Sequence, residues 1–276
     1  MANFWTARAR LHHRLLGGIC LAIALSHGSA SAQEPLTFGV FPYLTAKRLV
    51  SDFTPLKDFL QQVTGQPVVM VTAPSYREFA ERTRNGDYDI VFTPPHFGVQ
   101  AEKESHFQRI AMTRYQIAAV ILVSKDSPLQ KLADLRGKTL AVPPKLSLVY
   151  LLAVKLLRDQ GLAPGRDVSL REFTTNQNSM AAPLRGDADA GATGILLWQK
   201  SGQHESMRVL AESPAVSGFF LMGHSRLSSS TIAQLRKRIL EFGDTEPGRA
   251  YFAATHHGAW LPIDNEVIRH VEAATH

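Results

Sequence analysis

The chain has 276 residues, with 30 Lys and Arg against 24 Asp and Glu and a mean hydropathy of −0.08. Its formal charge of +6 falls to +3 once the first 32 residues, with three arginines and no acid, are set aside; that is too mild to argue for a nucleic-acid partner. A single cysteine, Cys20, leaves residues 33–276 without disulfide, thiolate catalysis or cysteine metal ligands.

Arg8, Arg10 and Arg14 precede an apolar stretch over 15–25, and Ala30-Ser31-Ala32 offers the small residues that a signal peptidase reads. This predicts a signal peptide over 1–32, cleaved after Ala32, and an exported, soluble mature protein. The apolar stretch falls short of the roughly 20 residues that a membrane span needs. Cys20 follows Gly17-Gly18-Ile19, which lacks a lipid-attachment pattern, so it is expected to leave with the signal.

In chain order, a strand is predicted over 37–40. An amphipathic helix over 50–63 follows, carrying Val50, Phe53, Leu56, Phe59, Leu60 and Val63 at three- and four-residue spacings. A strand over 68–71 precedes a helix capped by Ser75, with Glu78 completing a capping box, and Asn85-Gly86 stops that helix before a strand over 89–92. Such alternation is the signature of a parallel α/β sheet, whose ligands sit beyond the carboxyl ends of the strands. Further strands are expected over 117–123, 139–142, 168–173, 188–192 and 219–222. Helices are expected over 148–159, 180–184 and 231–242, the last capped by Ser228. The second stretch repeats the alternation of the first without a visible residue-level repeat. Chain crossings near Ser124 and Ser217 would form a hinge.

Tyr43 follows Pro42 at a strand end, where it either closes over a ligand or lies half-buried at the surface. Thr93-Pro-Pro-His96 forms a stiff loop presenting Thr93 and His96, the latter as a donor to an anion or as a loop cap. At the entry to the helix over 148–159, Lys145 and Ser147 can add a charge and a hydroxyl to free helix amides, with Tyr150 one turn in. Thr174-Thr-Asn176-Gln-Asn178 reads as a loop that caps a helix, faces a cleft, or both. Thr193-Gly194 ends another strand, and Tyr115 lies just before the first crossing. Adjacent histidines at 256 and 257 point apart, and no metal-ligand spacing occurs, so neither a metal nor a cofactor is expected. A hydrolase pairing Ser147 with His96 is a minor alternative.

Thr37-Phe-Gly-Val-Phe-Pro-Tyr-Leu, Phe53-Thr-Pro-Leu-Lys-Asp-Phe-Leu, Asp89-Ile-Val-Phe-Thr-Pro-Pro, Leu132-Ala-Asp-Leu-Arg-Gly-Lys-Thr-Leu-Ala-Val and Leu184-Arg-Gly-Asp-Ala-Asp-Ala-Gly span nearly the whole mature chain. They resemble the phosphate, phosphite and phosphonate group of periplasmic substrate-binding proteins. The resemblance implies an α/β, two-lobed type II periplasmic-binding-protein fold, each lobe a mixed, mostly parallel sheet flanked by helices, with two crossover hinge strands. The lobes are expected at 34–123 plus 218–276 and at 124–217. It further implies a monomer that captures a small oxyanion and partners an ABC permease, or in an alternative role a sensor histidine kinase. An aromatic at Tyr43, the 93–96 loop and a polar residue at Asn178 would contact ligand. Where the family carries a hydroxyl cluster followed by Gly, this chain has Leu146 and Leu148 flanking Ser147.

Overall fold

The computed structural model describes residues 34–275; the expected signal peptide over 1–32 lies outside the described residues. The chain begins β1 (Leu36–Val40), α1 (Ala46–Thr64), β2 (Val68–Val71), α2 (Tyr76–Arg84), β3 (Ile90–Thr93), α3 (Pro95–Glu104) and β4 (Phe107–Thr113). It continues β5 (Ala119–Ser124), β6 (Thr139–Val142), α4 (Leu148–Asp159), β7 (Ser169–Glu172), α5 (Asn176–Ala181), β8 (Ala190–Gly194), α6 (Ile195–Gln199) and β9 (Met207–Glu212). The return comprises β10 (Phe220–His224), α7 (Ser229–Glu241), α8 (Glu246–Thr255), β11 (Trp260–Leu261) and α9 (Asn265–Thr275).

Two sheets result, ordered β11-β4-β10-β3-β1-β2 and β7-β6-β8-β5-β9. Among these strands, parallel pairing is confined to β2-β1-β3 and β7-β6-β8, and every other ladder is antiparallel, so each sheet is mixed, with parallel pairing in only part of it. β5 pairs with β8 and β9, so the strand at 119–124 belongs to the second sheet. The boundary expected at 123/124 therefore moves upstream, to the segment between β4 and β5. The reason is tertiary pairing: β5 finds antiparallel partners on both sides in the second sheet. Along β5, Ile121 and Val123 join the main core, while Val120 and Leu122 pack with Met180, Trp198 and Met207 on the opposite face.

Helix ends follow their caps. Ser75, Ser147, Thr175 and Ser228 each accept the amide three residues on, at 3.1 Å. Glu78 turns to Arg82 instead of completing a capping box. α1 starts four residues before its first predicted residue because Thr45 supplies the cap, and it ends at Gly65 (φ +69°). Two expected loops are helical: α3 opens on Pro95, at the first helical position where a missing N–H costs nothing, and α5 includes Asn176 and Asn178.

The structure also reveals a repeat that the sequence conceals. Gly86-Asp-Tyr-Asp89 and Gly186-Asp-Ala-Asp189 both turn on a left-handed glycine, at φ +75° and +74°. In each, the second Asp exchanges backbone contacts with the neighbouring parallel strand: Asp89 Oδ2 accepts the Thr37 amide at 2.7 Å and Asp189 Oδ2 the Thr139 amide at 2.8 Å. Their own amides donate back to the Thr37 and Thr139 carbonyls. Thr93 then ends β3 and Thr193 is the penultimate residue of β8, each strand being followed by a helix.

Two antiparallel segments join the lobes. Ile117 and Val216 exchange two bonds of 2.8 Å, and the Thr113 amide donates to the Phe219 carbonyl at 2.8 Å. Gly218 lies between them, and a Cβ there would stand 2.1 Å from the Tyr115 carbonyl oxygen. α9 packs against both α3 and α4, so the C-terminal helix also touches both lobes. Among the described residues, no helix is long and apolar enough to cross a membrane.

Candidate ligand-binding cleft

On the first lobe, the ends of β1 and β3 lie side by side, with the Phe41 amide donating to the Phe92 carbonyl at 3.0 Å. Tyr43 leaves β1 half-buried against Phe219, with ring centroids 4.9 Å apart, and its hydroxyl lies 3.3 Å from His257 Nε2. Burial, with a smaller contribution from Asp52, raises the Tyr43 pKa and keeps the phenol protonated. Tyr115 lies nearly parallel to Phe219, and burial pushes its hydroxyl up to about 12. Thr93 is fully buried, and its Oγ1 has no partner.

His96 stands in the first turn of α3. Its Nε2 lies 3.1 Å from the carbonyl oxygen of Leu146, which belongs to the other lobe just before the cap of α4. A carbonyl only accepts, so the imidazole hydrogen resides on Nε2 and Nδ1 is a bare lone pair. That Nδ1 is buried without a partner. Burial lowers His96 to about 4 against the opposing pull of the Leu146 bond, so the ring is neutral near pH 7.

On the second lobe, Ser147 is buried and engaged as the α4 cap, its Oγ accepting the Tyr150 amide; Tyr150 packs its half-buried ring on the core. The expected charge at Lys145 turns elsewhere: its Nζ sits 4.0 Å from Glu172 Oε2, its amide donates to Glu172 Oε1, and its side chain is 67% exposed. Asn176 begins α5; its carbonyl accepts the Thr193 hydroxyl at 3.3 Å, and its Oδ1 is buried without a partner. Asn178, named from the sequence as the nearer match, is exposed, with Nδ2 3.4 Å from Thr174 Oγ1. A Cβ at Gly194 would lie 3.6 Å from Val149 in the first turn of α4, so the ends of β8, α4 and α5 adjoin.

Thr93, His96 and Asn176 thus bring three unpartnered buried polar atoms to strand and helix ends from both lobes, bridged by the His96–Leu146 bond. The starts of α3 and α4 add amides without intrahelical acceptors, a setting that favours an anion. Tyr43, Tyr115, His96 and His257 are neutral at pH 7, so these side chains offer hydroxyls and dipoles rather than a buried cation. The hydrolase pairing is not formed: Ser147 caps a helix and His96 Nε2 is held by Leu146.

Sequence reading missed Phe219 and His257. The latter was visible as half of a histidine pair and judged only as a metal ligand. His256 takes the left-handed conformation that closes α8 (φ +59°), and the turn sends His257 into the core at 3% exposure. A cavity of about 560 Å³ opens elsewhere, among Glu102, Arg109, Arg236 and Asn265, and shares no residue with the cleft. Its charged groups are already paired, Arg109 with Glu102 and Asn265, and Arg236 with the Arg109 carbonyl. Among the described residues, no group of three or more His, Cys, Asp or Glu is placed to hold a metal ion.

Two mixed α/β lobes joined by paired crossing segments, with strand and helix ends facing each other, define a two-lobed solute-binding protein of type II. The chain belongs to the ABC transporter, phosphonate, periplasmic substrate-binding protein family, whose model matches residues 38–268. Among solved structures it is similar to XAC2383 from Xanthomonas citri bound to ATP, at 18% identity and TM-score 0.76 over 87% of this chain and 95% of that one. It is similar to PhnD1 from Prochlorococcus marinus in complex with methylphosphonate, at 16% identity and TM-score 0.74 over 87% and 96%. It also resembles the aliphatic sulphonate binding protein SsuA from Escherichia coli, at 18% identity and TM-score 0.60 over 87% and 90%.

Proposed function

We propose that this protein captures a small phosphonate-like oxyanion in the cleft between its lobes, within the periplasm, and presents the closed form to an ABC permease. The observation that carries this reading is that Thr93 Oγ1, His96 Nδ1 and Asn176 Oδ1 are buried and unpartnered at the end of β3, in the first turn of α3 and at the start of α5. Buried polar atoms without partners are costly, and a ligand that bonds them repays that cost.

The ligand's protonation follows from the same atoms. His96 Nδ1 and Asn176 Oδ1 accept hydrogens, so the captured species carries at least one, as a hydrogen phosphonate or hydrogen phosphate does and a sulphonate does not. A thermal-shift comparison of residues 33–276 with methylphosphonate and methanesulphonate, nearly equal in shape, tests this. The expected result is a raised melting temperature with the phosphonate and little change with the sulphonate, because a ligand bound only to the folded state stabilises it. Equal shifts would contradict the protonation argument, and silence across phosphonates, phosphite and phosphate would contradict oxyanion capture.

A further inference from the structure

We infer that His96 latches the two lobes together and that the captured oxyanion sets the latch, one ring nitrogen serving the opposite lobe and the other the ligand; this rests on the capture reading above. The latch itself is the bond from His96 Nε2, in α3 of the first lobe, to the Leu146 carbonyl oxygen 3.1 Å away, in the loop before α4 of the second.

Both ends of that bond are fixed within their own lobes. In the loop, the Ser147 amide donates to the Pro144 carbonyl at 2.8 Å, the Lys145 amide donates to Glu172 Oε1 at 3.2 Å, and Ser147 Oγ caps α4. Across from it, Pro94 and Pro95 open α3, and the Gly98 amide donates to the Pro94 carbonyl at 3.0 Å. A Cβ at Gly98 would stand 2.6 Å from the Phe220 ring, so the first turn of α3 lies close against β10. A hydrogen bond is lost once its atoms part by about 0.5 Å. With ends held this firmly, the bond forms only while the lobes are together.

A neutral imidazole carries one hydrogen, and burial keeps His96 neutral near pH 7. The Leu146 carbonyl can only accept, so the latch holds only with that hydrogen on Nε2. Nδ1 is buried without a partner. A ligand that donates a hydrogen to Nδ1 keeps the ring in the latching tautomer. A ligand that takes a hydrogen from Nδ1 leaves two lone pairs facing each other between the lobes. A hydrogen phosphonate or hydrogen phosphate therefore favours the closed form, by as much as its affinity for that form exceeds its affinity for the open one.

Residues 33–276 contain no cysteine, so spin labels on Val50→Cys and Glu205→Cys, exposed positions of the first and second lobes, report the distance between the lobes by pulsed electron resonance. Adding His96→Phe is expected to lower the ratio of closed to open protein about three- to tenfold, the scale of one hydrogen bond. An unchanged distance distribution, with and without methylphosphonate, overturns the latch. His96→Gln keeps an N–H near the Nε2 position and offers no acceptor at Nδ1. Methylphosphonate is expected to raise the closed share in the wild type and to leave it unchanged in His96→Gln; an equal rise in both overturns the coupling. If His96→Phe does not fold, nitrogen NMR of the wild type still decides: a hydrogen on His96 Nε2 is expected, and one on Nδ1 overturns the inference. A wild type whose melting temperature responds to no oxyanion defeats the capture reading, while the comparison without ligand still decides the latch.

Discussion

Thr93 and Thr193 each stand four residues after the second aspartate of the Gly-Asp-x-Asp turn, yet one hydroxyl is idle and the other bonds the Asn176 carbonyl. That difference makes Thr93 the more informative target. Thr93→Val keeps the shape and removes a buried group that has no partner, so stability should hold or rise by up to about 1 kcal/mol, while oxyanion affinity falls about tenfold. Denaturant unfolding and calorimetry on the same variant check both halves. Lys145 offers the opposite case. Sequence position suggested a charge for the ligand, but the side chain is exposed and faces Glu172, so Lys145→Ala should change affinity less than about threefold at moderate salt.

The buried histidines fix a pH dependence at the same scale. His257 and His96 are lowered from 6.5 to about 3 and about 4, so the unfolded chain takes up their protons first as pH falls. Stability is therefore whole above about pH 6.5 and declines as pH drops toward 4. For His257 alone, the loss should approach about 2 kcal/mol between pH 7 and pH 5. Urea unfolding at the two values measures it, and His257→Gln should flatten the slope.

At the level of elements, Gly218 is where the crossing segments touch. A Cβ there meets the Tyr115 carbonyl at 2.1 Å and the Thr113 hydroxyl at 2.2 Å, so Gly218→Ala must part the segments. We expect a loss of about 2–4 kcal/mol, seen as a lower urea midpoint; an unchanged midpoint would show that the crossing yields without cost.

Elements with explicit caps and clear periodicity were legible in the sequence: α2 and α7 begin directly after the Ser75 and Ser228 caps, and α4 begins at the expected Leu148. Those decided by tertiary pairing were not. α3 opens on two prolines that read as loop, and β4, β9 and β11 gain their identity only from antiparallel partners distant in sequence. The Gly-Asp-x-Asp repeat escaped notice for a related reason: it preserves only a left-handed turn and one bonding carboxylate, while the apolar residues around it differ. The site divides in the same way. Thr93 and Asn176 could be named because they end a strand and start a helix. The roles of Leu146 and His257 depend on contacts across 50 and 214 residues, which no local pattern encodes.

For the whole molecule, the core is continuous through both sheets, α9 leans on both lobes, and a histidine of one lobe bonds a carbonyl of the other. Such an arrangement suits a protein whose closed form is the state that a membrane partner reads, with two crossing segments as the hinge. If capture rests on neutral hydroxyls, amides and helix starts as proposed, oxyanion affinity should depend only weakly on salt compared with a lysine- or arginine-lined site. Calorimetric titration of residues 33–276 with methylphosphonate, in the wild type and in Thr93→Val, tests the central claim most directly. The account predicts one ligand per chain and a roughly tenfold weaker Kd in the variant, with its melting temperature unchanged or higher. Equal affinity in both proteins, or no heat of binding with phosphonate, phosphite or phosphate, would contradict capture of an oxyanion in this cleft.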